Sequence, residues 1–440
     1  MNAEKRKINE VQDDAPQNEP TTTRRRLDGE NLDNSTRISY PTGSSHGPTP
    51  AFQYPNQLIT FSYSESRKLE FTNAAMKFYV HPPFNADLNY GYEHWVKRPE
   101  ERGRLDGLLT ACIREEVLAE RDRANVISWR GVMTKILTAP YEDRESWTLN
   151  VMCINNVLYF EEHIDSVKLK EKENMSPRNR LQSYYGYAFE SYCTSSTPDP
   201  RHDPEKLANG WSGNVNTNVQ WCSIVKTKLG DNRLIIGGEV DCVEGKYTGQ
   251  PNTFVELKTS MVIRNPQDEV RFEKKLLKFY FQSFLLGVPE IKVGFRNPAG
   301  RIVQMQSFKT VQLPRLVRGK PGAWDPNLCL QWGSQFLAFL QSAIQNWELE
   351  KPNSANDSDS HSSSSESASG TKKRAKEECV WRVTFRPRKG VEVALLDDAA
   401  IADVRNGEDR VGFLPRFYWN EISNVASEDK ANDRQVERWD

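Results

Sequence analysis

The sequence predicts a mixed α/β (α+β) fold with a substantial antiparallel component. Three observations carry this expectation. Segments of helical apolar spacing and segments of β-branched, alternating texture interleave from Phe52 to Leu349. Two strand-like runs meet at a tight "NN" pair, a hairpin signal. The chain has 440 residues, of which 37% are apolar, enough for a sizeable core.

In chain order, residues 1–50 are rich in Asn, Asp, Thr, Pro and Arg, with almost no aromatic residue before Tyr40, and are expected to be disordered. "LDGLLTACIREEVLAER" (105–121) has the texture of a helix. "WTLNVMCINNVLYFEEH" (147–163) reads as two strands around the "NN" turn, and "NRLQSYYGYAFESYCT" (179–194) as a helix. "DNRLIIGGEVDCVEG" (231–245), "NTFVELKTS" (252–260) and "PEIKVGFRN" (289–297) read as strands. "EKKLLKFYFQSFLLGV" (273–288) reads as a long helix with Gly287 near its end. A Ser-rich low-complexity segment, 352–378, ends in a basic knot. Order is expected to resume at "CVWRVTFRPRKGVEVALL", two strand-like runs too short for a domain of their own, which should rejoin the main sheet. The folded domain is thus expected over 51–351 and 379–423, with a polar tail over 424–440.

The formal net charge is -1, so a polyanion would have to be met by a local basic channel. The seven cysteines are widely spaced without a C-x-x-C, which points to a reducing compartment and away from a thiolate zinc site. The start lacks the apolar stretch of a secretory signal and no run is long enough to span a bilayer, so a soluble intracellular protein with no membrane partner is expected. The six histidines show no H-x-x-H spacing, and there is no G-x-S-x-G, P-loop or G-x-G-x-x-G.

The stretch "NTFVELKTS" carries the first chemical signal. Side chains alternate along a strand, so Phe254, Glu256 and Lys258 share one face, and Thr253, Val255, Leu257 and Thr259 the other. Upstream, "GGEVDC" places Glu239 and Asp241 on one face with Val240 opposite. With "GKYTGQPN" as the turn, a hairpin would let all four ionisable groups converge. Crowded carboxylates repel, by roughly 4 kcal/mol for a pair ~4 Å apart at an effective dielectric of about 20. A divalent cation removes that repulsion, and oxygen ligands without His or Cys favour Mg²⁺ or Mn²⁺. Lys258 beside it can hold a phosphate oxygen or orient the attacking water. Such an acid, turn and Glu-x-Lys is the arrangement of the broad class of Mg²⁺ nucleases with a D…E-x-K signature. A Glu-x-Lys pair alone is most often a weak, solvated ion pair; the second acidic strand is what favours a site.

Other stretches add candidates. "SYYGYAFESY" sets Glu190 among aromatic residues, with Tyr187 one helical turn before it, and an acid buried there needs a partner. In "WRGVMTKILTAPYE", Arg130 stands between a Trp and a Gly, suited to an Arg held against phosphate. Lys275, Lys278 and Gln282 make a polar stripe at i, i+3 and i+7, which plain solvent exposure explains equally well.

Taken in order, "WRGVMTKILTAPYE", "YYGYAFE", "GGEVDC", "FVELKT" and "KFYFQSFLLGVPEIKVGFRN" resemble the motifs of the DXO-type decapping nuclease family. The resemblance implies a single large domain of two mainly antiparallel sheets flanked by helices. It implies metal-site acids Glu190, Glu239, Asp241 and Glu256, completed by the backbone carbonyl of Leu257, with Mg²⁺ or Mn²⁺ bound. Arg130, Glu190, Lys258 and Gln282 would meet the substrate, Arg130 at the 5′ phosphates and Lys258 and Gln282 at the scissile phosphate and nucleophile. The implied substrates are RNAs with a 5′ triphosphate, an incomplete guanosine cap or an NAD cap.

The texture of "LITFSYSESRKLEFTNAAMKFYVHPP" is more similar to fungal members that are nuclear and bind and stabilise the nuclear 5′–3′ exoribonuclease. "RRR" (24–26) and "KKRAK" (372–376) are compatible with nuclear localisation. A weakly active or non-catalytic exoribonuclease subunit, a cytoplasmic paralogue with distributive 5′–3′ exonuclease action, and a DNA endonuclease using the same metal logic are the alternatives on these residues.

Overall fold

The structure, a computed structural model, describes residues 37–40, 48–349 and 378–423. In chain order the strands begin with β1 (Arg37–Ile38), β2 (Asn56–Tyr63), β3 (Leu69–Glu70), β4 (Phe78–Tyr79), β5 (Val126–Trp129), β6 (Trp147–Ile154), β7 (Val157–Glu162) and β8 (Thr194–Ser195). They continue with β9 (Gln220–Leu229), β10 (Asn232–Glu239), β11 (Cys242–Val243), β12 (Phe254–Met261), β13 (Glu290–Arg296), β14 (Ile302–Lys309), β15 (Trp381–Arg386) and β16 (Gly390–Leu395). The helices are α1 (Asp106–Cys112), α2 (Glu115–Arg121), α3 (Arg130–Thr138), α4 (Ser166–Glu173), α5 (Pro177–Cys193), α6 (Pro266–Phe284), α7 (Leu313–Val317), α8 (Pro326–Leu349) and α9 (Asp398–Arg405).

A large sheet runs β1-β16-β15-β6-β7-β5-β10-β9-β2-β3, and a second runs β14-β13-β12-β11-β4-β8. Most neighbours are antiparallel, but β5 is parallel to both β7 and β10, β12 to β13, and β11 to β4. The helices lie in layers around these sheets. A central core joins Leu149, Val151 and Phe160 of the large sheet to Phe254, Ile291 and Val293 of the second, with α3, α6 and α8 contributing. The outer face of the large sheet is covered by α1, α2 and α9, and that of the second by α5. This is the mixed α/β domain with large sheets and flanking helices that the sequence predicts.

Local chemistry explains the main elements. Asn155 and Asn156 both take positive φ, 49° and 62°, which closes the β6–β7 hairpin with the turn that suits strand twist. The parallel pair β12 and β13 needs a crossover, and α6 supplies it by burying Phe272, Leu276, Leu277, Tyr280 and Phe281. β15 pairs with β6, so the strands after the Ser-rich segment complete the large sheet.

Several expectations need correction. The helix expected over 105–121 is two, because Arg114 is extended (φ −76°, ψ 142°) between α1 and α2. Residues 37–40 fall within the segment expected to be disordered, yet β1 pairs with β16, and Ile38 and Tyr40 pack on the core. The strand read from Asn252 begins at Phe254, since Pro251–Thr253 is a 3-10 turn, and Thr253 therefore leaves the alternating face. The helix read from Glu273 starts at Pro266, capped by Asn265, whose side chain accepts from the Asp268 amide. It ends at Phe284, and Gly287 takes φ 73° in the turn beyond. The basic knots, the Ser-rich segment up to residue 377 and the polar tail lie outside the described residues. Among the described residues no helix is long and apolar enough to cross a membrane.

Candidate active site

The two acidic strands do not form one hairpin. β10 belongs to the large sheet and ends at Glu239; the chain then crosses and re-forms as β11 in the second sheet. Only Cys242 and Val243 pair with β12, against Val255 and Phe254. Glu239 is instead paired with Cys222 of β9, and Val240 is buried in the central core. The candidate site therefore sits where one strand passes between two sheets. Asp241, one step past the Cys242–Val255 pair, adjoins Glu256 at the end of that ladder.

Each acid has its own support. The Leu257 amide donates to Asp241 Oδ2 at 2.7 Å. A residue's N–H and C=O point the same way in an extended strand, so the Leu257 carbonyl faces the same gap. Gln220 Nε2 donates to Glu239 Oε2 at 2.8 Å, and Arg67 Nη1 donates to Gln220 Oε1 at 2.7 Å, which fixes the amide's orientation. Glu190 lies in the last turn of α5, whose Phe189 packs with Val255 and Leu257 of β12. Arg130 opens α3 and donates from Nη1 to Glu256 Oε2 at 2.9 Å, while Lys258 Nζ donates to Glu256 Oε1. Gly238 explains how Arg130 comes so close, since a Cβ there would lie 2.7 Å from Leu286 and 3.0 Å from Arg130.

The charges are unequally matched. Burial works against ionised Glu256, but Arg130 and Lys258 outweigh it and hold the carboxyl below its usual range. Glu190 goes the other way: burial, then the charges of Asp241 and Glu239, push it well up. Asp241 is raised by burial and by Glu256, and Glu239 by burial against the pull of Arg130. Burial disfavours the charged forms of Arg130 and Lys258, yet the surrounding carboxylates raise both. Glu256 is held ionised between two cations, while ionisation of the other three is disfavoured by burial and by the neighbouring carboxylates, a penalty that a divalent cation would relieve. Among the described residues no three acids, histidines or cysteines close into a metal cage, and protein donors hold Glu239, Asp241 and Glu256. The donor set, oxygen throughout, fits a hard cation in chemistry and in charge.

Arg130, Glu190, Glu239, Asp241, Glu256 and Lys258 are thus one electrostatic cluster, with the Leu257 backbone beside it. Gln282 is not joined to it: half-buried on α6, its side chain has no hydrogen bond to another described residue. Its stripe partner Lys278 reaches Glu142 at 3.2 Å. A cavity of about 1170 Å³ opens on the cluster, with Glu190, Glu239 and Asp241 in its floor. Its walls carry Trp95, Arg98, Arg102, Arg180 and Tyr187. Of these, the sequence reading singles out only Tyr187; the interleaved aromatic and basic residues of "YGYEHWVKR" are the signal that points to Trp95 and Arg98, and no such signal marks Arg102 or Arg180. Gln220 and Arg67 carry no such signal.

Comparison with known proteins gives the family. A family model described as "RAI1 like PD-(D/E)XK nuclease" matches residues 53–419. The decapping nuclease RAI1 of Mycosarcoma maydis is 37% identical over 459 residues, spanning 88% of this chain and 90% of that protein. The crystal structure of S. pombe Rai1 in complex with 3'-FADP aligns at TM-score 0.62 and 25% identity, covering 82% of this chain and 99% of that one. Candida albicans Rai1 in complex with pU5-Mn2+ aligns at TM-score 0.69 and 22% identity, covering 88% of this chain and 100% of that one, a likeness of fold. With a family model matching most of its length and a relative sharing more than a third of its residues, this chain belongs to the RAI1-like PD-(D/E)XK nuclease family.

Proposed function

We propose that this protein is a divalent-metal-dependent hydrolase of RNA 5′ ends, with Mg²⁺ or Mn²⁺ held by Glu190, Glu239, Asp241, Glu256 and the Leu257 carbonyl. It removes incomplete guanosine caps and NAD caps, and releases pyrophosphate from 5′-triphosphate RNA. The observation that carries this reading is the convergence of the Glu190, Glu239 and Asp241 carboxyl groups on one cavity whose lining also carries basic and aromatic side chains. The relatives named as decapping nucleases and the Candida albicans complex with pU5-Mn2+ support it.

A bound divalent cation supplies Lewis acidity at the scissile phosphate. Lys258, held by Glu256, contributes a fixed positive charge to the charge that develops on phosphoryl oxygens. Arg130 holds Glu256 ionised and offers its remaining donors to a 5′ phosphate. We place Gln282 against the substrate on the family resemblance; its contact would form only with RNA bound. The test is incubation of the purified protein with RNAs carrying a triphosphate, an unmethylated cap, a methylated cap or NAD, with Mg²⁺ and with EDTA. Release of pyrophosphate, cap dinucleotide or NAD only with metal is expected; no release from any of them refutes the reading.

Gly238→Ala tests the cluster's geometry. The added methyl pushes Arg130 away from Glu256, and turnover is expected to fall on the order of 10²-fold while far-UV circular dichroism stays unchanged. We further propose a nuclear location and association with the nuclear 5′–3′ exoribonuclease, on the texture of the segment from Leu58 to Pro83. Recovery of no exoribonuclease with the tagged protein from nuclear extract would count against this.

A further inference from the structure

The cavity wall above the carboxylates has a feature the metal chemistry does not use. Helix α5 lays Arg180, Ser183, Tyr187 and Glu190 into the cavity, a spacing that follows one face of a helix. Tyr187 is one turn before Glu190 and remains 38% exposed, large for an aromatic side chain set into a fold. Trp95 faces it, with ring centroids 5.8 Å apart and planes inclined by 40°. The Arg180 guanidinium lies over the Trp95 ring at 5.7 Å and has no carboxylate partner among the described residues.

This wall is rigidly mounted. Trp95 is backed by Tyr184 at 5.5 Å, and Tyr184 Oη donates to the Tyr90 carbonyl at 2.6 Å. Gly91 turns the chain at φ 76°, where a Cβ would meet Trp211 at 2.9 Å. Beyond Trp95, the Val96 amide donates to the Val215 carbonyl at 3.0 Å and the Arg98 amide to Thr217 Oγ1 at 2.8 Å. Arg98 and Arg102 line the same cavity. A fixed aromatic face flanked by guanidinium groups, one helical turn from acids suited to phosphoryl chemistry, matches a nucleotide: base on the rings, phosphates on the cations.

We propose that Trp95 and Tyr187 form a stacking wall that grips one nucleobase of the RNA 5′ end and so sets which phosphate reaches the carboxylates. This rests on the RNA 5′-end reading above. The base comes from the cap or from the first transcribed nucleotide, and the substrate set separates these sources. The test compares wild type, Trp95→Ala and Trp95→Phe on four RNAs: triphosphate RNA with and without its first base, and capped RNA with and without the cap base.

Trp95→Ala is expected to lower kcat/KM by about 10- to 100-fold on RNAs bearing the stacked base, the range produced by losing one base–aromatic stack. Trp95→Phe restores most of it. Removing that base costs the wild type the same factor and costs Trp95→Ala nothing further. If the two losses multiply at both positions, or if Phe is as poor as Ala, the wall is only packing and the proposal falls. Equilibrium binding of the same RNAs, by fluorescence polarisation in Ca²⁺, gives a readout independent of turnover. Base-dependent binding that vanishes in Trp95→Ala upholds the wall even if the wild type hydrolyses none of these RNAs, an outcome that overturns the hydrolase reading alone.

Discussion

Replacing Asp241 with Asn is expected to reduce hydrolysis of 5′-triphosphate RNA by roughly 10³-fold, the scale of losing several kcal/mol of charge stabilisation at the phosphate. The same substitution should leave the fold at least as stable in EDTA. Asn keeps an oxygen to accept from the Leu257 amide, so the hydrogen bond at 2.7 Å survives. What disappears is a buried charge that Glu256 and Glu239 repel. Relief of that repulsion stabilises the metal-free protein by about 1 kcal/mol. Thermal unfolding in EDTA reads it as a rise or no change in Tm, and in Mg²⁺ the wild type alone should gain stability. A variant that is inactive because it is less stable would contradict the placement of Asp241 among mutually repelling, buried carboxyl groups.

Arg130→Met is expected to have the opposite signature on stability. Glu256 is 1% exposed and spends one oxygen on Arg130 and the other on Lys258. Removing one partner of a buried ion pair leaves an uncompensated charge and costs about 3–5 kcal/mol. Denaturant unfolding in EDTA measures it, with activity lost as well because Lys258 alone must then balance Glu256. Adding Glu256→Gln to this variant should recover part of the stability and none of the activity. Recovery marks the loss as a broken pair; a further additive loss would mean the two side chains act independently.

Much of the site is legible in the sequence because its signals are local. The period of two along "FVELKT" puts Glu256 and Lys258 on one face, and in the structure both lie together with Arg130 on the central-core side of β12. The "NN" turn and the crossover helix between two strands follow from short-range chemistry in the same way. Other features escape. "GGEVDC" has an unbroken strand texture, and nothing in it marks the step from one sheet to the other between Glu239 and Cys242. Arg37 and Ile38 are too few to signal a strand; the open edge of β16 makes them one. Gln220 becomes the support of Glu239 because β9 lies beside β10, a neighbour relation with no trace in spacing.

The sequence by itself determined which side chains share a face, Glu256 with Lys258 on one strand and Tyr187 with Glu190 on one helix, because alternation along a strand and the turn of a helix set side-chain direction within a few residues. Tertiary structure alone decided how their charges balance: Glu256 held ionised between two cations, Glu190 and Asp241 pushed toward their neutral forms by burial and by neighbouring carboxylates. Burial and Coulomb terms depend on distances between segments far apart in the chain, and those distances exist only once the two sheets have closed around the strand that joins them.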